Sequence, residues 1–352
     1  MTTGTTSDTI RAARLRHSAD EKPGITRRRR GSGWSYHAPD GSTITAQDER
    51  DRITALAIPP AWADVWISPW PNGHIQATGR DARGRKQYRY HERWIEVRDG
   101  NKYEHVLAFA GMLPSIRRQV DADLRRTGLP REKVLAAVVR LLEITLIRVG
   151  NAEYARDNDS YGLTTLRKKH VDLEGSEIRL QFTGKSGKEW DLEVSDRRIA
   201  KIVKQCSDLP GYELFKWVDD DGERHDVTSD DVNAYLREIT GAEFTAKDFR
   251  TWAGTVLAAL ALDAFEEFDS EAQAKRNVVA AIEEIAGQLG NTPAVCRKCY
   301  VHPDILNAYL DGELSGVLRR EIDESVRAEF ADLTTEEVLV LTLLRDRLAA
   351  TD

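Results

Sequence analysis

The hydrophobic period of this chain changes near residue 103, and that change constrains the fold more than any other feature. From Trp34 to about Trp94 the apolar residues come in short runs between turn signals. Gly33-Trp34-Ser35-Tyr36 precedes Pro39-Asp40-Gly41, and Val65-Trp66-Ile67-Ser68-Pro69-Trp70 is separated from His74-Ile75-Gln76-Ala77-Thr78 by Asn72-Gly73. Such runs around an Asn-Gly pair predict strands joined by a hairpin, with a short helix over residues 46–57. Beyond residue 103, Val134, Leu135, Val138, Leu141, Leu142, Thr145 and Val149 recur at spacings of three and four, which predicts a long buried helix ending near Gly150. A β interlude follows, with residues 178–182 and 190–194 on either side of a turn at 183–188. Helices then resume, with N-caps expected at Ser229, Thr245 and Thr292, the last followed by Pro293, and a capping box at Thr334 and Glu337. The expected fold class is α+β. Residues 1–30 read as a basic arm without amphipathic period, 31–102 as a small β-rich domain, and 103–352 as a larger, mainly helical domain ending in acidic helices.

With 31% charged and 41% hydrophobic residues the chain is neither disordered nor fibrous. No apolar run approaches 18 residues and none at the start suits a signal peptide, so a cytoplasmic, nucleoid-associated protein without membrane contact is expected. Cys206, Cys296 and Cys299 are too few for a disulfide framework. The net charge of -7 argues against a nucleic-acid partner only until it is divided along the chain. Residues 301–352 hold 12 acidic and 5 basic residues, whereas the first 105 carry 18 basic against 13 acidic. The front of the chain is basic.

Two motifs can be set aside. Gly184-Lys185-Ser186 resembles the end of a phosphate-binding P-loop, but position 179, where that motif needs glycine, is Arg179, and the flanks read strand-turn-strand. Cys296-Arg297-Lys298-Cys299 with His302 lacks a fourth ligand at metal spacing, so no metal site is expected. Two other stretches combine basic and aromatic or polar residues. Residues 79–91 contain Arg80, Arg83, Gln87, Tyr88 and Tyr90, groups that can meet phosphates, reach base edges or stack; the same run also suits a solvated strand face. Arg148 closes an otherwise apolar helix, where it either faces an anion or pairs with the helix dipole.

Taken in order, Pro23-Gly24-Ile25-Thr26-Arg27, Ile58-Pro59-Pro60-Ala61-Trp62, Gln87-Tyr88-Arg89-Tyr90, Arg148-Val149-Gly150-Asn151 with Tyr154, Gly184-Lys185, Lys247-Asp248-Phe249-Arg250, and Thr292-Pro293 with Tyr300 form a specific set. In this set the sequence resembles the poxvirus-like type IB DNA topoisomerases, especially their bacterial members, over roughly residues 17–310. The resemblance implies a clamp around double-stranded DNA and a catalytic set of Arg148, Lys185, Arg250, Asn291 and Tyr300. Tyr300 is then the nucleophile that forms a 3'-phosphotyrosyl link, and Lys185, on a mobile hairpin tip, is the general acid. Two arginine forks can stabilise a phosphodiester under attack without a metal. Where relatives outside the bacterial branch carry His, this chain has Asn291, which donates a hydrogen bond but does not titrate. Arg80, Arg83, Gln87, Tyr88, Tyr90, Tyr154 and Lys247 are the expected DNA contacts. No cofactor, nucleotide or metal is implied, and a monomer is expected. Tyrosine recombinases share the Arg, Lys, Arg and Tyr chemistry, but their second Arg usually sits in a His-x-x-Arg element, whereas this chain has Lys247-x-x-Arg250. A DNA-binding protein without catalysis would leave Lys185 and Tyr300 unexplained.

Overall fold

The computed structural model describes residues 10–31, 33–82, 84–265, 268–319, 327 and 330–350. They divide into two compact units, Met1–Glu104 and His105–Asp352, and the division falls inside a long helix, Glu92–Asp123.

In the first unit the strands are β1 (Ile25–Arg30), β2 (Gly33–His37), β3 (Ala63–Ile67), β4 (Ile75–Arg80) and β5 (Lys86–Tyr90), with helix α1 (Gln47–Ala55) between β2 and β3. They form one antiparallel sheet in the order β2-β1-β3-β4-β5. Strand alternation sends Val65 and Ile67 to one face, where they pack with Ile25, Ala77 and Ile53 of α1. Trp66 points to the other face and donates its indole N–H to the Lys22 carbonyl at 2.9 Å. Gly24 makes room for that ring: a Cβ there would sit 2.0 Å from the indole nitrogen.

The reading of residues 1–30 as an arm is corrected for the described part. Ile25–Arg30 is a central strand, and the segment before it is docked by backbone bonds. The Arg16 N–H donates to the Asn72 carbonyl at 2.8 Å, and the Arg16 carbonyl accepts from His74 at 2.9 Å. Buried Ser18 donates its hydroxyl to the Ile75 carbonyl at 2.8 Å. An extended segment held in this way has no helical period to read. The connection around Asn72-Gly73 is also wider than a two-residue hairpin, because β3 ends before Pro69 and Pro71, neither of which has an N–H to donate to a ladder. The Gln76 amide fills the loop, donating to the carbonyls of Trp70, Pro71 and Gly73 at 3.2, 3.0 and 2.7 Å.

The helix across the division is α2 (Glu92–Asp123). The second unit continues with α3 (Arg131–Thr145), α4 (Ala152–Asn158), the sheet β6 (Val171–Glu174), β7 (Glu177–Thr183) and β8 (Glu189–Ser195), and α5 (Arg197–Asp208). A short hairpin of β9 (Lys216–Val218) and β10 (Arg224–Asp226) precedes α6 (Ser229–Thr240), α7 (Ala246–Asp263), α8 (Glu271–Leu289), α9 (Pro293–Cys299), α10 (Pro303–Leu310), α11 (Leu314–Leu318) and α12 (Thr335–Ala349). The helices enclose one large core, to which α3 contributes Val134, Leu135, Val138, Leu141 and Leu142. Thr292 caps α9 with Pro293 in its first turn, and Thr334 with Glu337 boxes the start of α12. At α6 the cap is Thr228, one residue before the expected Ser229, with Asp231 closing the box.

Helix α3 stops earlier than its apolar spacing predicts. Leu146 turns into the left-handed region, φ 56°, and donates its N–H to the Leu142 carbonyl at 3.0 Å. Residues 147–149 then run outside any helix or strand, beside residues 162–164: the Leu163 and Thr164 N–H groups donate to the carbonyls of Arg148 and Val149 at 2.9 and 2.7 Å. The apolar spacing continues past the helix because Ile147 is buried and Val149 packs on the core in the irregular stretch too.

Candidate active site

Since Arg148 lies beyond the end of α3, it does not serve the dipole of that helix; it reaches another one. Gly290 ends α8 in the left-handed conformation, φ 62°, leaving the last carbonyls of the helix without intrahelical donors. Arg148 donates to the Gly290 carbonyl at 2.9 Å and to Asn291 Oδ1. Arg250, on the second turn of α7, donates to the Leu289 carbonyl at 2.7 Å and to the carbonyl that the Leu146 turn presents. The left-handed turn at Leu146, a conformation that costs an L-residue roughly 1–2 kcal/mol, thus aims a carbonyl at a buried guanidinium.

The backbone at Arg148 is held by close glycine contact. A Cβ on Gly162 would lie 2.5 Å from the Gly150 Cα and 2.6 Å from the Arg148 carbonyl oxygen, both backbone atoms that cannot swing aside. Gly150 has φ 102°, which only glycine adopts readily.

Tyr300 follows the last turn of α9 and donates its N–H to the Cys296 carbonyl at 2.9 Å. Its carbonyl rests on α7, where a Cβ on Gly254 would come within 2.6 Å of it. The Thr255 hydroxyl donates to the Thr251 carbonyl at 2.8 Å, lies 3.5 Å from the Tyr300 carbonyl, and accepts the His302 N–H at 3.1 Å. The Tyr300 ring centroid is 5.0 Å from the Arg250 guanidinium carbon. Burial pushes Arg148 and Arg250 below the ordinary guanidinium range; the Tyr300 phenol opposes that shift in both, while Arg148 adds to it in Arg250. Arg250 Nε and Asn291 Nδ2 are buried donors with no hydrogen-bond partner among the described residues.

Lys185 opens the turn between β7 and β8, its ammonium 5.9 Å from the Tyr154 ring centroid. A cavity of about 560 Å³ lies between these groups, lined by Arg148, Arg250, Tyr300, Lys185, Lys247 and Tyr154 among others. Four of the five expected catalytic residues therefore share one cavity with two of the expected DNA contacts. Asn291 does not line it and instead holds Arg148 from behind. Tyr154 stands on α4, whose first turn is capped by the Asn151 side chain accepting the Tyr154 N–H at 2.8 Å.

The remaining expected contacts lie in the first unit. Tyr88, 42% exposed, stacks on Tyr90 with centroids 5.8 Å apart, and Lys86 lies 5.5 Å from the Tyr88 ring on the same face of edge strand β5. Gln87 belongs to the opposite face and donates to Asp81 at 3.1 Å, so the polar and aromatic members of this run do not act side by side. Arg80 donates to the Gly84 carbonyl at 2.9 Å, and Arg83 lies outside the described residues.

Two contributors were not singled out in the sequence. Gly254 lets α7 touch the Tyr300 backbone, and a glycine within a helix is a weak signal for this. Lys188 shares a turn with Lys185 but donates to the Gly287 carbonyl near the end of α8, a contact that nothing in the residue order signals.

The family model of the eukaryotic DNA topoisomerase I catalytic core matches residues 91–317, and that of the bacterial DNA topoisomerase IB N-terminal domain matches residues 33–81. The DNA topoisomerase 1B of Acanthamoeba polyphaga mimivirus is 33% identical over 302 residues, covering 83% of this chain and 90% of that protein. The DNA topoisomerase 1B of vaccinia virus (strain Copenhagen) is 20% identical over 263 residues, 74% of this chain and 79% of its own. These matches run through both units and include every residue of the cavity, and on them the chain belongs to the type IB DNA topoisomerases.

Proposed function

We propose that this topoisomerase relaxes duplex DNA by transient cleavage of one strand at Tyr300. The Tyr300 oxygen attacks the phosphorus, the bond to the 5' oxygen breaks, and a 3'-phosphotyrosyl link forms while the phenol proton passes to solvent. Lys185 gives a proton to the departing 5' oxygen. Arg148 and Arg250 exchange carbonyl partners for the non-bridging oxygens, where charge gathers as the phosphorus becomes five-coordinate, and each such donor contributes about 2.7–4 kcal/mol to the barrier reduction. Asn291 keeps the Arg148 fork in line. The freed 5'-hydroxyl end turns about the intact strand and then attacks the phosphotyrosine in the reverse reaction. One phosphate ester replaces another at each step, so the bond energy is conserved and no nucleotide is consumed.

The observation that carries this reading is the convergence of Arg148, Arg250, Lys185 and Tyr300 on a single cavity. The duplex would be held as in a clamp, with Lys247 and Tyr154 beside the scissile phosphate and Arg80, Tyr88 and Tyr90 meeting the DNA from the first unit, while Gln87, on the other face of β5, stays with Asp81. A monomer suffices, since all five catalytic groups come from one unit of one chain. Relaxation of positively and of negatively supercoiled plasmid, in EDTA and without nucleotide, tests the proposal. Activity on both is expected; a strict requirement for a divalent ion or ATP would overturn it.

A further inference from the structure

The C-terminal end of α8 collects cations from three separate elements. Arg250 reaches the Leu289 carbonyl, Arg148 the Gly290 carbonyl and Asn291, and Lys188 the Gly287 carbonyl. The last carbonyls of a helix carry the negative end of its dipole, which favours cations there. Two of the three cations line the catalytic cavity. Lys188 does not.

Lys185 and Lys188 belong to one turn but to different surroundings. The Lys185 side chain is exposed, whereas Lys188 is half-buried with its ammonium 4.6 Å from the Trp190 ring centroid. Trp190 packs over both Gly184 and Gly290: a Cβ would meet its ring at 2.5 Å from the first and 2.8 Å from the second. The Lys188 stem lies 3.0 Å from where a Gly290 Cβ would be. Within the turn the Gly184 N–H donates to the Lys188 carbonyl at 2.7 Å and the Gly187 N–H to the Gly184 carbonyl at 3.1 Å. Ser186 and Gly187 are both left-handed, φ 65° and 76°, so these two bonds hold a conformation that Ser186 adopts at a cost. Burial, Arg148 and Arg250 all push the Lys188 ammonium below the ordinary lysine range, and it donates to the Gly287 carbonyl at the helix end.

We propose that Lys188 is a positioning residue: it ties the turn that carries Lys185 to the helix end that holds Arg148, Arg250 and Asn291, giving the proton donor and the phosphate clamp a common support. The inference rests on the reading of Lys185 as general acid. Lys188 touches neither the phosphate nor the leaving oxygen; its effect passes through the turn.

The test compares full-length Lys188→Met, which keeps an apolar stem over Trp190 but loses the donor, with Lys188→Arg, which keeps a donor. Hydrogen exchange at the amides of residues 184–188 reads the anchor directly. Exchange there should rise in Lys188→Met, return toward wild type in Lys188→Arg, and stay unchanged in Lys185→Ala; equal exchange in all four proteins would overturn the proposal whatever the chemistry of Lys185. Single-turnover cleavage then reads its consequence. Lys188→Met should be slower by up to about 10²-fold on an ordinary substrate, as for a reacting group displaced by about 1 Å, and much closer to wild type when the 5' bridging oxygen is sulfur, a leaving group that needs little protonation. Combined with Lys185→Ala it should add little to that variant's own defect, because both changes disable one step. A defect of equal size on both leaving groups, or full additivity, would overturn the positioning role. If Lys185→Ala were itself equally slow on both substrates, the general-acid reading would fail, and the exchange result alone would still decide whether Lys188 anchors the turn.

Discussion

Replacing Arg250 by Lys keeps the charge and removes the fork, and the structure sets what that should do. Arg250 is 3% exposed and donates through separate nitrogens to two carbonyls, those of Leu146 and Leu289, while Nε has no partner among the described residues. A lysine ammonium on a flexible stem cannot span both acceptors. At least one buried carbonyl then loses its donor, which costs about 1–3 kcal/mol of stability. In the reaction the same change removes one of two bidentate donors from the phosphate, and the loss of such a donor slows the chemical step by about 10²- to 10³-fold. Thermal unfolding measures the first effect and single-turnover formation of the covalent DNA complex the second; DNA affinity, set by the whole basic surface, should change far less. A variant that cleaves at the wild-type rate would refute the placement of Arg250 on the phosphate. One that loses stability but not rate would reduce it to a structural residue that holds the Leu146 turn.

Three further outcomes follow from the geometry. Gly162→Ala places a methyl against the Gly150 Cα and the Arg148 carbonyl; it should cost about 1–3 kcal/mol of stability and slow cleavage by moving Arg148, and unaltered melting and cleavage would show that the backbone yields there. Burial, then the neighbouring His17, hold His74 below its ordinary value of 6.5. Protonation therefore favours the unfolded chain: the contribution is complete above about pH 6.5 and declines as pH falls below it, so stability should drop from pH 7 to 5 with a slope that His74→Gln reduces, and an identical slope in the variant would contradict this. Lys247→Ala, beside the cavity, should weaken DNA binding on all sequences and lower the slope of log affinity against log salt by about 0.9; an unaltered slope would mean that Lys247 touches no phosphate.

What could be read from the residues alone was whatever has a local cause. The three-four spacing at residues 134–142 marked a core helix, and Thr292-Pro293 marked the start of the short helix that ends at Tyr300. The proposed catalytic Arg, Lys and Tyr positions came from an ordered set of short motifs, each weak by itself. Features that depend on distant partners were not legible. The stop of α3 at Leu146 is stabilised by Arg250, 104 residues later, and apolar spacing cannot distinguish a helix from the irregular, core-packed stretch that follows it. Residues 16–18 dock through backbone bonds to residues 72–75, a mode with no side-chain period, so they read as an arm. Gln87 looked like a partner of Tyr88 and Tyr90 until the strand placed it on the opposite face, and the contact of Lys188 with the end of α8, 99 residues away, has no local signal.

The central claim is that Tyr300 is the nucleophile and that it takes the 3' phosphate. Trapping the protein on a nicked duplex in EDTA, denaturing and digesting the complex, and mapping the nucleotide-bearing peptide tests it in one measurement. The account predicts a single adduct on Tyr300, joined to a 3' phosphate, with a free 5'-hydroxyl on the released strand and no adduct from Tyr300→Phe. An adduct on another residue, a link to a 5' phosphate, or covalent complex persisting in Tyr300→Phe would contradict it.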